Sequence, residues 1–141
     1  MKTQPWTPDE PYMSDAQLEY FREHLLTWRK ELLQASRQTI DHMRDAQPEI
    51  GDEADESVRI ESQQFELRTR DRYRKLIRKI DMALDRIREG SYGYCEITGE
   101  PIGVARLQAR PIANLCLDAQ EIKERQERSL GVSREASRMA F

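Results

Sequence analysis

Two stretches of this chain hold residues whose types and spacing could do chemistry. The first is the acidic turn Gln47-Pro48-Glu49-Ile50-Gly51-Asp52-Glu53-Ala54-Asp55. Carboxylates held away from their own protein can disturb the field around a partner's metal ions and charged substrates. They can equally serve their own chain, with Asp52 as an N-cap and with Glu53 and Asp55 favoured by the positive end of a helix dipole. The second stretch is Cys95-x2-Thr98, seventeen residues, then Cys116-x2-Ala119, the frame of a four-cysteine zinc ribbon. Only Cys95 and Cys116 supply sulfur, and neither histidine, His24 or His42, lies near enough in sequence to substitute. The expectation is no bound metal at Cys95, Thr98, Cys116 and Ala119, with the two cysteines acting as small buried hydrophobes. A disulfide between them under stress is the alternative.

The elements that must position these residues follow from periodicity. Pro5, Pro8 and Pro11 exclude a continuous helix over residues 1–13, which reads as an extended arm packing Trp6 or Tyr12 onto the body. Ser14-Asp15-Ala16-Gln17 is a capping-box pattern. Leu18, Phe21, Leu25, Trp28, Leu32 and Ala35 then recur at spacings of 3 and 4, the seam of a coiled coil. A helix from Ala16 to about Asp45 is roughly 45 Å long at 1.5 Å per residue. After the turn a second seam runs through Val58, Ser62, Phe65, Thr69, Tyr73, Leu76, Ile80, Ala83 and Ile87. That helix, from about Glu53 to Glu89, is roughly 55 Å long. A short turn between two such helices makes an antiparallel hairpin spanning residues 14–89, with its acidic tip near 47–57. His24 and His42 read as solvated or seam-edge residues.

Gly90 is placed as a left-handed residue ending the second helix. Tyr92 to Gly103 reads as a small glycine-punctuated knuckle, and Val104 to Leu115 as short strand or loop. A helix is expected from Cys116 to about Leu130, followed by a weakly helical or frayed tail over 131–141. The fold class is therefore mainly α: a long antiparallel coiled-coil hairpin plus a small zinc-finger-like domain over 90–130, with short strands and a C-terminal helix.

Composition narrows the function. Hydrophobic residues make up 38% and charged residues 35%, thin for a compact globule but suited to an exposed coiled coil. Acidic residues outnumber basic ones 26 to 23, which disfavours wholesale or sequence-specific DNA binding. No run of 18 apolar residues exists, and Met1 to Met13 lacks the apolar core of a secretory signal. With two cysteines, these features point to a cytoplasmic protein with free thiols.

The stretches Phe65-Glu66-Leu67-Arg68-Thr69-Arg70-Asp71-Arg72, Arg74-Lys75-Leu76-Ile77, Gly93-Tyr94-Cys95-Glu96, Ile102-Gly103, Arg106-Leu107, Ala109-Arg110-Pro111 and Leu115-Cys116 resemble the DksA/TraR family of bacterial RNA polymerase-binding transcription factors. The resemblance covers roughly residues 9–129. It implies a protruding coiled coil that enters the polymerase secondary channel and modulates initiation in the stringent response. The family tip motif, Asp-x-x-Asp-x-Ala, falls on Asp52, Asp55 and Ser57, with serine in place of alanine. A polymerase contact falls on Arg72. A guanosine tetraphosphate (ppGpp) site formed with the polymerase falls on Leu76, Lys79 and Arg110, while a further family lysine is Gln120 here. Losing that charge weakens an effector contact by about 1–3 kcal/mol.

The resemblance implies no catalysis by the chain itself, with ppGpp as effector, while the two missing thiols leave no resident cofactor expected. The polymerase is the partner, there is no membrane partner, and the state is monomeric. Two other readings stand beside it. A secondary-channel factor with an acidic tip can donate a metal ligand for transcript cleavage. A plain helical adaptor would extend its seam into an intermolecular interface, against which the polar seam positions Ser62 and Thr69 argue.

Overall fold

The computed structural model describes residues 6–45 and 53–139. Four helices follow in order: α1 (Asp15–Asp45), α2 (Glu53–Glu89), α3 (Val104–Ala109) and α4 (Leu117–Met139). Helix α1 begins at the capping box. Ser14 Oγ accepts the Gln17 N–H at 3.3 Å. Gln17 reaches back one residue further than an ordinary box, and its Oε1 accepts the Met13 N–H at 2.8 Å. The reason is that the Ser14 N–H is already held by the Pro11 carbonyl.

Helices α1 and α2 pack as an antiparallel hairpin. Arg29 Nε lies 2.7 Å from Asp81 Oδ1, and His42 Nδ1 lies 2.6 Å from Glu66 Oε1. As the chain advances along α1 from the first pair to the second, it moves backwards along α2. The lower half of the rod is apolar: Phe21, Leu25, Leu32, Ile80 and Ala83 are buried, with Trp28, Tyr73, Leu76 and Ile87 packed against them. These are the seam residues that periodicity selects.

The tip half of α2 departs from that seam. Val58, Ser62 and Phe65 are exposed, while Arg59, Gln63, Glu66 and Arg70 are half-buried. Both rows have the same 4 and 3 spacing, so periodicity alone cannot choose between them. Near the His42–Glu66 pair the half-buried residues of α1 are Ala35, Ser36, Thr39 and Ile40, of which only Ile40 is a large apolar side chain, so little apolar surface is offered for packing. Thr39 and Thr69 return their hydroxyls to the Ala35 and Phe65 carbonyls of their own helices, at 3.0 Å each.

Helix α2 stops where glycine predicts. Gly90 has φ 83°, its N–H bonds the Ile87 carbonyl, and the Ser91 N–H bonds the Arg86 carbonyl. This is the paired closure of a Schellman motif. The knuckle that follows holds one antiparallel bridge, Tyr94 with Pro101, in place of short strands. Pro101 has no N–H with which to lengthen a ladder.

The stretch from Val104, expected as strand or loop, begins with the short helix α3, which buries Leu107. Val-Ala-Arg-Leu-Gln-Ala is rich in helix formers, but six residues are too few to display a helical period. Pro111 ends it by forcing Arg110 out of the helical region, to φ −142° and ψ 86°. Helix α4 passes Leu130 and Gly131 and continues to Met139, the helical of the two alternatives expected for that tail.

The arm is tied to the body as its aromatics suggest. Trp6 meets Tyr20 edge-on at 4.8 Å. The Tyr12 hydroxyl donates to the Gly93 carbonyl at 2.6 Å and accepts the Gly103 N–H at 2.9 Å.

Candidate functional site

Asp55 is the third residue of α2 and is exposed. A carboxylate in a first helical turn is favoured by the unsatisfied N–H groups there. Moving from the tip towards the body, the first α2 residue packed on the main core is Tyr73. Eighteen residues separate the two, about 27 Å of helix. Asp55 is therefore carried well clear of the core. Ser57, two residues on, is exposed and engaged in an interaction of its own. Asp52 and the rest of the turn, 46–52, lie outside the described residues.

The basic candidates sit at the other end of the rod. Leu76 is half-buried against the core, and Lys79, three residues on, shares its face and is exposed. Arg72 is exposed on α2, and Arg110 is exposed at the C-cap of α3. None of these three cations pairs with a described carboxylate. Arg29 and Arg86, by contrast, are committed to Asp81 and Glu96. Gln120 gives its amide to Glu124 at 3.0 Å. A groove of about 490 Å³ between α1 and the α3 corner is lined by Glu23, Glu31, Tyr20 and Trp28. Its carboxylates oppose a polyphosphate, whereas Lys79 and Arg110 lie on open surface.

In the knuckle, Cys95 and Cys116 are free thiols, buried with Leu115 and Ala119 in a small cluster of their own. The Thr98 hydroxyl stands 3.8 Å from Cys116 Sγ. Burial pushes the Cys95 thiol up. Hydrogen bonds from the Thr98 hydroxyl and from the backbone N–H groups of Cys116, Thr98 and Ile97 outweigh it and bring the thiol down to about 6. The cluster is joined to the rod through Glu96. Its carboxylate takes Arg86 Nη1 at 3.3 Å and the Asn114 amide at 2.9 Å. Sequence reasoning gave no role to Glu96, Arg86 and Asn114: Arg86 and Asn114 carry no periodic or motif signal, and Glu96 entered only as the last residue of the Gly93-Tyr94-Cys95-Glu96 stretch.

Comparison with known proteins matches two family patterns. Residues 17–87 match "DnaK suppressor protein DksA, N-terminal domain". Residues 90–125 match "Prokaryotic dksA/traR C4-type zinc finger". The donor set here does not fit a four-cysteine zinc ion. Thr98 offers a hydroxyl, and Ala119, buried beside the two thiols, offers only a methyl. No group of three or more histidine, cysteine, aspartate or glutamate side chains gathers to hold a metal among the described residues.

The "RNA polymerase-binding transcription factor DksA" of Caulobacter vibrioides is 55% identical over 120 residues, 85% of this chain and 84% of that one. The protein of the same description from Escherichia coli K12 is 42% identical over 123 residues, covering 87% and 82%. The solved structure of transcription factor DksA2 from Pseudomonas aeruginosa superposes with a TM-score of 0.77 at 46% identity, covering 86% of this chain and 94% of that one. With a matching hairpin and knuckle in one continuous alignment, the chain belongs to the DksA/TraR family.

Proposed function

We propose that this protein binds RNA polymerase through its hairpin, enters the secondary channel, and modulates transcription initiation with the tip carboxylates Asp52 and Asp55. The observation that carries the reading is the exposed Asp55 about 27 Å of helix beyond the core. The relatives' description as RNA polymerase-binding transcription factors supports the choice of partner.

The physical action is electrostatic. Fixed negative charge near a metal-bearing active centre alters the field around template, substrate and Mg²⁺. Initiation complexes lose stability as a result. Short-lived promoter complexes are inhibited, and promoters limited by an earlier step gain. The chain needs no reacting group of its own.

Arg72 contacts the channel rim. Lys79 and Arg110, beside Leu76, offer cations to the phosphates of ppGpp at the surface shared with the polymerase. Their freedom from described carboxylates supports this assignment. Because Gln120 brings no charge, the response to ppGpp is weaker than it would be with lysine there.

Run-off transcription from a ribosomal-RNA-type promoter tests the reading. Asp52→Asn with Asp55→Asn abolishes inhibition while polymerase binding survives. Inhibition that persists in the double variant would rule out the carboxylate mechanism.

A further inference from the structure

The tip half of α2 is built inside out. Its half-buried row, which includes the Glu66 that meets His42 of α1, is polar: Arg59, Gln63, Glu66 and Arg70. Its large apolar residues face outwards: Val58 is 66% exposed, Phe65 69%, Ile60 46% and Leu67 46%. Four such residues within ten positions, on a rod that does not use them to hold itself together, mark a surface that a partner covers.

Their placement says what kind of partner. Val58 and Phe65 are seven residues apart and share one flank of α2, as do Ile60 and Leu67. At about 100° per residue the two flanks lie about 200° apart around the helix axis, with the α1 contact between them on one side. On the other side, away from α1, Glu61, Gln64 and Arg68 form an exposed polar ridge. A flat partner, or a second copy laid alongside, meets one flank or the ridge. Only a partner that encloses the rod covers both flanks.

We propose that the flanks Val58–Phe65 and Ile60–Leu67 are the surfaces through which the walls of the polymerase channel grip the hairpin. They supply affinity by apolar burial, and the tip carboxylates supply the effect on transcription. This rests on the polymerase-channel reading above and divides its labour. Apolar burial carries little counterion cost, so the part of the affinity lost on removing a flank is insensitive to salt.

The experiment uses the full chain and core polymerase, with binding measured at low and high salt. Val58→Ser with Phe65→Ser, and separately Ile60→Ser with Leu67→Ser, each weaken binding about 10-fold or more. Circular dichroism and the thermal midpoint stay at the unmodified values, because these side chains pack little in the free protein. Phe65→Leu keeps most of the affinity. Unchanged affinity in both double variants overturns the proposal, and a loss in only one pair overturns the enclosing partner. A dimer of the unmodified protein that either pair converts to monomer assigns the flanks to a second copy and overturns it too. If the unmodified protein does not bind polymerase, the functional reading itself has failed, and the two failures are thereby told apart.

Discussion

The Tyr92 ring is buried against Phe21, 5.7 Å between centroids, and its hydroxyl donates to the Pro111 carbonyl at 2.7 Å. Burial pushes the phenol well above its ordinary 10.0, so it stays neutral throughout the physiological range. The stabilisation from this shift is present below pH 10 and is lost as pH rises towards the folded-state value. Tyr92→Phe leaves the buried carbonyl without its partner and costs about 1–2 kcal/mol, read as a lower urea midpoint at unchanged slope. The Cys95 thiol shifts the opposite way, from 9.0 to about 6. Its stabilisation is present above pH 9 and is lost as pH falls towards 6. Thiolate absorbance should therefore titrate near pH 6, and Thr98→Val, which removes the hydroxyl donor, should move that midpoint upward. No count of sulfur positions reveals this, because it depends on three backbone N–H groups converging on one atom.

At the scale of the element, the hairpin has two halves that respond differently to mutation. Leu25 is fully buried in the lower half, and Leu25→Ala there should cost about 2–5 kcal/mol. Glu66→Gln in the tip half should cost under about 1 kcal/mol, since its partner His42 is largely solvated. Thermal melts of the two variants make the comparison. The lower seam was legible in the sequence because apolar residues at spacings of 3 and 4 have one physical reading when both helices supply them. The upper seam was not, because there the row of apolar residues and the row facing α1 are neighbours with the same spacing. The sequence placed Asp55 on the first turn of α2 correctly, since turn residues and an N-terminal carboxylate agree there. It misread the start of the Val104–Leu115 stretch because a single helical turn and a half, fixed by one buried Leu107, has no period to show.

Across the whole molecule, the body consists of a main core and a small second cluster around Cys95 and Cys116. Packing and hydrogen bonds hold the knuckle: the Cys95 N–H to the Glu100 carbonyl at 2.8 Å, the Ile102 N–H to the Gly93 carbonyl at 2.8 Å, and the Glu96 N–H to the Asn114 carbonyl at 2.9 Å. Treatment with a strong zinc chelator should accordingly leave the thermal midpoint and near-ultraviolet circular dichroism unchanged. A fall in either would show that a metal contributes to folding. That the knuckle lacks two thiol positions was plain from residue types alone. The Glu96 contacts to Asn114 and Arg86 were not, because those residues meet only once the chain has folded.

The Tyr12 hydroxyl touches both ends of the loop from Gly93 to Gly103, more than eighty residues away in sequence. The leading peptide is thus a strap buckled across the base of the knuckle. A nick just after Tyr12, sparing every helix, would unbuckle it, and the loop's amide protons would then exchange with solvent long before those of α1 and α2.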